Sequence, residues 1–199
     1  MIIQILERGL KVELGKKGKL IIISGPSGVG KGTLVKKILK DLDNVILSVS
    51  ATTRKPRNGE KNGEHYYFIT EDNFLEIVKN DGFLEYARYN ANYYGTPKSN
   101  IENMINSGKN VILEIDVQGA IKVKNKFKRS ITIFIMPPCI NDLYERLKGR
   151  NTETSEEIEK RIDRAKQEIS LAEQYDYIVV NDSMMDAEAK IKDIILSCN

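Results

Sequence analysis

The sequence predicts an α/β fold in which helices cover a doubly wound parallel sheet of five strands. Short apolar runs without polar alternation are typical of strands that are buried on both faces. Five such runs occur, at residues 20–24, 45–50, 111–116, 131–136 and 177–180. Helical patterns separate or follow several of them, at 33–42, 117–127 and 184–197. This alternation is the basis of the predicted core.

Two stretches interrupt the alternation. Residues 51–103 are rich in Asn, Gly, Tyr and charge, and the short run at 66–69 is expected to be an antiparallel strand. After Pro137 and Pro138 come two helical patterns, and Thr154 with Glu157 forms a capping box for the second. The sequence therefore predicts a core formed by 1–50, 104–139 and 172–199, an inserted subdomain at 51–103 and a helical lid at 140–171.

The composition excludes several kinds of site. His65 is the only histidine, and Cys139 and Cys198 are the only cysteines. A histidine-cluster metal centre and a cysteine-ligated zinc site are therefore excluded, no obvious Ser-His or Cys-His nucleophile is present, and a reducing compartment fits. The chemistry must use Lys, Arg, Asp, Glu and backbone groups.

Charge and hydropathy restrict the partners. With 31 basic and 28 acidic residues the net charge is +3, which argues against a dedicated nucleic-acid partner but allows small anionic ligands. No apolar run approaches the ~20 residues that span a bilayer, and residues 1–10 do not have the pattern of a secretory signal. We expect no membrane partner and a cytoplasmic location.

A glycine-rich loop lies between the first predicted strand and the first helix. Glycines let successive backbone N–H groups turn towards phosphate oxygens, and the helix N-terminus adds a partial positive charge. Lys31 supplies a full charge for the β- and γ-phosphates of a nucleoside triphosphate. An ordinary strand-to-helix turn is the alternative, but spacing and context favour a P-loop, formed by Gly25, Pro26, Ser27, Gly28, Val29, Gly30, Lys31, Gly32 and Thr33.

One position departs from the usual P-loop pattern. Gly32 stands where a Ser or Thr hydroxyl usually ligates magnesium, and Thr33 follows it. We therefore expect Mg²⁺ to be held mainly through water and the nucleotide's own oxygens, with Thr33 as one candidate protein ligand.

Two further groups of residues point to an anionic ligand. Arg54 and Arg57 flank Pro56, so that both guanidinium groups could converge on one anion, although a solvated basic loop is the alternative. Glu114 and Asp116 end the third predicted strand and are expected to share one face at the carboxyl edge of the sheet, where ligands bind in such folds. Pairing with a neighbouring lysine is the structural alternative for these carboxylates.

Together these motifs make the chain similar to the guanylate kinase family over roughly residues 18–197. Five separate segments carry the resemblance: the P-loop, residues 50–57, Tyr93-Tyr94-Gly95, residues 114–119 and residues 149–154. The resemblance implies a P-loop NTPase-type core, ATP and Mg²⁺, and transfer of a phosphoryl group to GMP. Gly-Lys-Gly-Thr also occurs in small nucleotide kinases, which favours a nucleoside monophosphate kinase over a switch GTPase.

The resemblance also implies an acceptor site. It assigns guanine recognition to Glu85 and Thr96, an acceptor contact to Asp116, and a place near the metal and its waters to Glu114. Guanine offers N1–H and N2–H₂ as adjacent donors that one carboxylate can accept, whereas adenine does not, so Glu85 favours GMP. A surface charge on a helix is the alternative for Glu85. The remaining candidates, most of them for the phosphate of GMP, are Ser50, Arg54, Arg57, Glu60, Tyr66 and Tyr94.

The predicted lid supplies arginines for the transfer step. By resemblance, Arg146, Arg150 and Arg161 reach the phosphates when the lid closes, and Asn181 lines the adenine pocket. Arg164 precedes Glu168 by four residues, which favours a surface ion pair over a catalytic role. The acceptor phosphate is itself ionised, with a second pKa near ~6, so the reaction needs no general base.

The sequence thus predicts an ATP-dependent, Mg²⁺-requiring kinase that converts GMP to GDP and is a monomer or a small homo-oligomer. A kinase for AMP or a pyrimidine nucleotide is one alternative. A catalytically silent module that binds protein partners is another, although such modules typically lack an intact phosphate loop.

Overall fold

The computed structural model describes residues 17–89, 91–149 and 154–197, and its largest sheet is parallel. Its five strands are β1 (Leu20–Ser24), β2 (Val45–Leu47), β7 (Asn110–Glu114), β8 (Ile131–Met136) and β9 (Tyr177–Val180). They lie in the order β2-β7-β1-β8-β9, and every neighbouring pair is parallel. The predicted doubly wound sheet is confirmed, with β1 and its following loop at the centre.

Helices cover both faces of this sheet. The core helices are α1 (Lys31–Asp41), α3 (Lys98–Asn106), α4 (Val117–Lys126) and α7 (Met184–Ser197). Side chains of β1 alternate between two apolar clusters, because Ile21 and Ile23 pack with α1 and α7 whereas Leu20 and Ile22 pack with α3 and α4. Burial on both faces explains why these strands are continuous apolar runs.

A second sheet lies in the predicted insertion. Its strands are β3 (Ala51–Thr52), β4 (Tyr67–Phe68), β5 (Phe83–Tyr89) and β6 (Asn92–Pro97), and helix α2 (Glu71–Lys79) packs on it. The order is β4-β3-β6-β5, and β6 is antiparallel to both of its neighbours. The antiparallel expectation for 66–69 is wrong, because β4 pairs with β3 in parallel, with Ala51 opposite Tyr67. The loop that joins these strands brings the chain back to the start of β3 before β4 begins.

The helices α5 (Ile140–Lys148) and α6 (Ser155–Ile169) form the predicted lid region, and a short 3₁₀ turn, Ala172–Gln174, follows them. The capping box at the start of α6 is confirmed, since Thr154 and Glu157 bond reciprocally. Leu143 and Leu147 of α5, with Ile158 and Ile162 of α6, pack into the cluster beneath α1. The division into core, insertion and lid stays a prediction. Among the described residues, no helix is both long and apolar enough to cross a bilayer.

One aromatic stack forms much of the small core that stabilises the second sheet. Phe74 of α2 is fully buried and stacks on Phe83 and Tyr93, with ring centroids 4.4 Å and 5.3 Å away. We expect Phe74→Ala to lower the free energy of unfolding by about 3–5 kcal/mol, because it leaves a cavity in this small core. The neighbouring Leu75 is 44% exposed, so Leu75→Ala is the control, expected within about 0.5 kcal/mol of the wild type. Urea denaturation measures both, and equal losses would contradict this account of the core.

Candidate active site

The phosphate loop is held by close backbone contacts. Gly25 has φ +144°, and a Cβ there would lie 2.3 Å from the carbonyl oxygen of Ile135. Gly30 has φ +100° and is the N-cap of α1, so the helix begins at Lys31. Both positions need glycine, because a side chain would clash at the first and be strained at the second. The free N–H groups at the start of α1 therefore face the same space as the loop.

The ammonium group of Lys31 folds back over this loop. It donates to the carbonyl oxygens of Gly25 at 2.6 Å and Pro26 at 3.0 Å. Burial lowers the pKa of Lys31, and the nearby carboxylates of Glu114 and then Glu168 oppose that shift. The loop thus places a cation in a poorly solvated position, where its electrostatic interactions are stronger than in water.

Glu114 ends β7 beside the P-loop. A Cβ on Gly32 would lie 3.5 Å and 3.7 Å from the two carboxylate oxygens of Glu114. Burial raises the pKa of Glu114, and the charge of Lys31 opposes this. Thr33 is exposed and is not among the residues that line the cleft described below.

A buried network fastens the loop from behind. The side-chain amide of Asn181 donates to the carbonyl oxygen of Val29 at 2.7 Å, and Asn181 is 1% exposed. The guanidinium of Arg146 donates to the same carbonyl at 3.2 Å and to the carbonyl of Asn181 at 3.1 Å. In this structure Arg146 and Asn181 therefore support the loop, and their contacts with nucleotide stay predictions.

The lid reaches the loop through Arg161. Its guanidinium donates to the hydroxyl of Ser27, so that α6 touches the P-loop directly. The predicted ion pair between Arg164 and Glu168 is confirmed, with Nε and Oε1 2.9 Å apart. Arg150, the third predicted lid arginine, lies outside the described residues.

Arg54 is anchored by Glu60. Its two amino groups donate to the two carboxylate oxygens of Glu60 at 2.9 Å and 2.8 Å, and the backbone N–H of Arg57 donates to the same carboxylate at 2.7 Å. The guanidinium also lies 5.5 Å from the ring centre of Tyr66. The hydrogen bond from Arg54 and the one from the Arg57 N–H lower the pKa of Glu60 to about 2. Glu60 thus shapes the arginine loop, while the side chain of Arg57 is exposed.

Glu85 and Thr96 lie next to each other on the paired strands β5 and β6 of the second sheet. The buried hydroxyl of Thr96 donates to Oε1 of Glu85 at 2.8 Å. Burial raises the pKa of Glu85, the bond from Thr96 opposes this, and the charge of Asp116 adds to it. Asp116 does not end β7 as expected. The strand stops at Glu114, and Asp116 is the N-cap of α4, accepting from the N–H of Gly119 at 2.8 Å.

One cleft of about 770 Å³ brings ten of the predicted site residues together. It lies between the P-loop, the second sheet and α6. The predicted site residues that line it are Gly25, Ser27, Lys31, Ser50, Tyr66, Glu85, Tyr94, Glu114, Asp116 and Arg161. The other described ones do not line it: Pro26, Gly28, Val29, Gly30, Gly32, Thr33, Arg54, Arg57, Glu60, Thr96, Arg146 and Asn181. The cleft is also lined by Lys160, Arg164 and Glu168 of α6, which the sequence analysis did not place there. Their helical spacing from Arg161 is the feature of the sequence that could have predicted their place in the cleft.

The fold and this cleft define a P-loop phosphotransferase, with a phosphate loop and a second binding surface opposite it. The family model for guanylate kinase matches residues 17–198. The chain therefore belongs to the guanylate kinase family.

Individual relatives agree with this assignment. The chain is 49% identical to a guanylate kinase of Clostridium perfringens (strain SM101 / Type A) over 187 residues, which cover 94% of this chain and 87% of that protein. It is 50% identical to a guanylate kinase of Clostridium tetani (strain Massachusetts / E88) over 180 residues, covering 90% and 86%.

One solved structure agrees with the family, and a second agrees with the fold. A guanylate kinase from Anaplasma phagocytophilum is 34% identical with a TM-score of 0.72, covering 92% of this chain and 87% of that one. A shikimate kinase from Bacteroides thetaiotaomicron, 16% identical with a TM-score of 0.51 over 89% and 98%, shares the fold alone.

The ion pair of Glu60 predicts a dependence of stability on pH. Because the pKa of Glu60 is lowered to about 2 in the folded chain, its contribution is complete above the ordinary carboxyl pKa of 4.5 and is lost as the pH falls towards 2. We expect Glu60→Gln to lower the urea midpoint at pH 7 and to differ less from the wild type near pH 3. The matched control is Glu64→Gln, which removes an exposed partner of Lys61. A difference that grows on acidification would contradict this assignment.

Proposed function

We propose that this protein transfers the γ-phosphoryl group of ATP to GMP and releases ADP and GDP. The observation that carries the proposal is the single cleft that has Lys31 and the P-loop on one wall and Glu85 with Tyr94 on the other. Two nucleotides that enter from these two sides meet with their phosphates in the middle. Such an arrangement supports direct transfer between them.

The donor binds to the P-loop in this proposal. Backbone N–H groups of the P-loop, in which Pro26 has none to donate, and of the start of α1 surround the β- and γ-phosphates. Lys31 exchanges the carbonyl oxygens of Gly25 and Pro26 for phosphate oxygens. Burial of the ammonium group makes this exchange favourable, since a neutral carbonyl compensates a desolvated cation less well than a phosphate does.

The residues beside the loop fit a magnesium ion that keeps most of its water. Mg²⁺ prefers oxygen ligands and is often held by one or two carboxylates together with water and phosphate. Glu114 supplies a carboxylate next to Gly32, and Thr33 stays the alternative ligand. When bound, the ion supplies positive charge to the phosphate oxygens.

The acceptor binds to the second sheet. We propose that Ser50, Tyr66 and Tyr94 donate hydroxyl hydrogen bonds to the phosphate of GMP, and that Arg54 and Arg57 supply charge. Glu60 holds the loop that carries both arginines. Glu85 accepts from N1–H and N2–H₂ of guanine, Thr96 orients that carboxylate, and Asp116 adds a contact at the start of α4.

The transfer needs positioning and positive charge more than acid-base chemistry. An oxygen of the ionised GMP phosphate forms the new bond to the γ-phosphorus, and the bond from that phosphorus to the bridging oxygen of ADP breaks. Lys31, Arg161 and Arg150 stabilise the charge on the transferring group. Arg146 fixes the loop and completes the set of lid arginines, and Asn181 borders the adenine.

The proposal includes the setting of the reaction. ATP and GMP are the partners, without nucleic acid or membrane, and the enzyme acts in the cytoplasm as a monomer or a small homo-oligomer. The core, the GMP-binding insertion at 51–103 and the lid at 140–171 move as separate parts. Closing of the two outer parts excludes water and limits hydrolysis of ATP.

An acceptor panel tests this function. ADP release from ATP is measured with GMP, AMP, UMP and CMP in turn, and we expect GMP to be preferred strongly, by up to ~10⁴ in kcat/KM. Equal or faster turnover with another acceptor would identify a different monophosphate kinase. Absence of turnover with all four would favour a binding module.

The role of Lys31 is tested separately. We expect Lys31→Ala to lower kcat by at least ~10²-fold, because the charge at the transferred phosphate is lost, while the unfolding midpoint stays close to that of the wild type. Lys40→Ala, an exposed change on the same helix, is the control and should keep normal activity. Near-normal turnover of Lys31→Ala would contradict the assigned role.

Glu85 gives a prediction on pH. Guanine recognition needs the ionised carboxylate, and burial raises the pKa of Glu85, so KM for GMP should rise on acidification while the pH is still above the ordinary carboxyl pKa of 4.5. Glu85→Gln should weaken GMP more than ATP and lose this part of the pH profile. A profile that is identical in the two proteins would assign the titration to GMP itself.

A further inference from the structure

The lid helix α6 presents a charged stripe to the cleft. The residues of α6 that line the cleft share one face of the helix. They are Glu157, Lys160, Arg161, Arg164 and Glu168. The adjacent stripe of Ile158, Ile162 and Ala165 is buried against the core. Packing therefore fixes which side chains of α6 the cleft receives.

Glu168 is an unusual member of this stripe. Its side chain is only 13% exposed and lines the same cleft as Lys31, and its charge opposes the lowering of the Lys31 pKa by burial. A carboxylate at that place repels the phosphates of a nucleotide unless a cation is bound to it. Arg164 is that cation, with its Nε 2.9 Å from Oε1 of Glu168 and its side chain 56% exposed.

The geometry of this pair leaves Arg164 with donors to spare. A guanidinium has five N–H donors in a planar fork, and the bond to Glu168 is made by Nε. The carboxylate of Glu168 thus binds Nε of Arg164, and the two terminal amino groups of the guanidinium can donate to an oxyanion. Arg161 lies one turn away and already contacts Ser27 of the P-loop, which shows how near this face is to the phosphate site.

We propose that Arg164, oriented by Glu168, is a further lid cation that binds the phosphate groups of a nucleotide in the cleft. Arg164 makes the contact and Glu168 is a positioning residue that acts through it. The inference rests on the proposed function and extends it from three lid arginines to four. It also explains why a carboxylate, which by itself would repel the phosphates of a nucleotide, lines the cleft at Glu168.

The competing interpretation is an ordinary helix ion pair at i and i+4, which contributes little. The same helix offers a matched control. Asp163 and Lys166 form an ion pair at 2.9 Å with side chains 71% and 57% exposed, and neither residue lines the cleft. Loss of the Asp163–Lys166 pair should change the charge and the stability of α6 about as much as loss of the Arg164–Glu168 pair does, but it removes no residue that lines the cleft.

The kinetic test uses Arg164→Ala, Arg164→Lys and Glu168→Gln, with Lys166→Ala and Asp163→Asn as controls. We expect Arg164→Ala to lower kcat/KM about tenfold, the loss of one partly solvated charge-assisted contact. Arg164→Lys should recover part of that loss, because the charge is kept without the fork. Glu168→Gln should lower kcat/KM less than Arg164→Ala does, and both controls should stay within about twofold of the wild type.

A double variant separates positioning from stability. In the Arg164→Ala background, Glu168→Gln should cause no further loss of kcat/KM, since it then removes only an unpaired carboxylate. Arg164→Ala within twofold of the wild type would overturn the proposal. So would an equal effect of Glu168→Gln with and without Arg164, or a loss matched by the controls.

Calorimetry with ADP tests the contact of Arg164 with phosphate independently of whether the protein phosphorylates GMP. We expect the Kd for ADP to rise about fivefold in Arg164→Ala and to stay unchanged in Lys166→Ala. That result would support the lid contact even if the wild-type protein did not phosphorylate GMP. An unchanged Kd together with unchanged kinetics would overturn the lid contact while GMP phosphorylation by the wild type still stood.

Discussion

The placement of one partly buried ammonium group, that of Lys31, is the constraint around which the cleft is arranged. The central strand β1 leads directly into the loop, and Gly25 passes so close to the backbone of Ile135 that no side chain fits. Behind the loop, the Val29 carbonyl is held by Asn181 and Arg146. The loop is therefore fixed from both sides before any ligand arrives, and the cation at its end is positioned in advance.

The cleft around this cation carries charges of both signs, because Lys160, Arg161 and Arg164 line it together with several carboxylates. Glu114 and Glu168 face Lys31 from the sheet and from the lid, and Asp116 adds a weaker contribution. Such a cleft is close to neutral by itself and accepts a polyanion only when arginines and a metal ion accompany it. In the proposed function, phosphate binding is thereby coupled to the position of α6, because that helix carries both the opposing carboxylate and the cations that compensate it.

The sequence was informative wherever a local pattern decides the structure. The buried parallel strands, the glycine loop and the capping box at Thr154 were predicted, because each depends on neighbours in the chain. The direction of β4 was not, because it depends on how a long loop returns to β3. Nor was the N-cap role of Asp116, since strand patterning extends the run past the residue where the ladder stops.

The remaining surprises are contacts between distant segments. Glu60 and Arg54 are close in sequence, but Glu168 shares a cleft with the P-loop, and Asn181 donates to Val29, only through the tertiary fold. The sequence predicted the ion pair of Arg164 with Glu168, because it follows helical spacing, but not the bond from Arg54 to Glu60, which depends on the path of a loop. Burial and tertiary partners cannot be read from spacing.

In the proposed function one cleft holds two different nucleotides at once, and calorimetry with a linked ligand tests this most directly. The ligand is adenosine joined to guanosine through a chain of five phosphates. We predict that it binds far more tightly than either ATP or GMP, and more tightly than the analogue with adenosine at both ends, because the proposed role of Glu85 is to recognise guanine. Equal or tighter binding of the double-adenosine analogue, or affinity no better than that of ATP alone, would contradict the account.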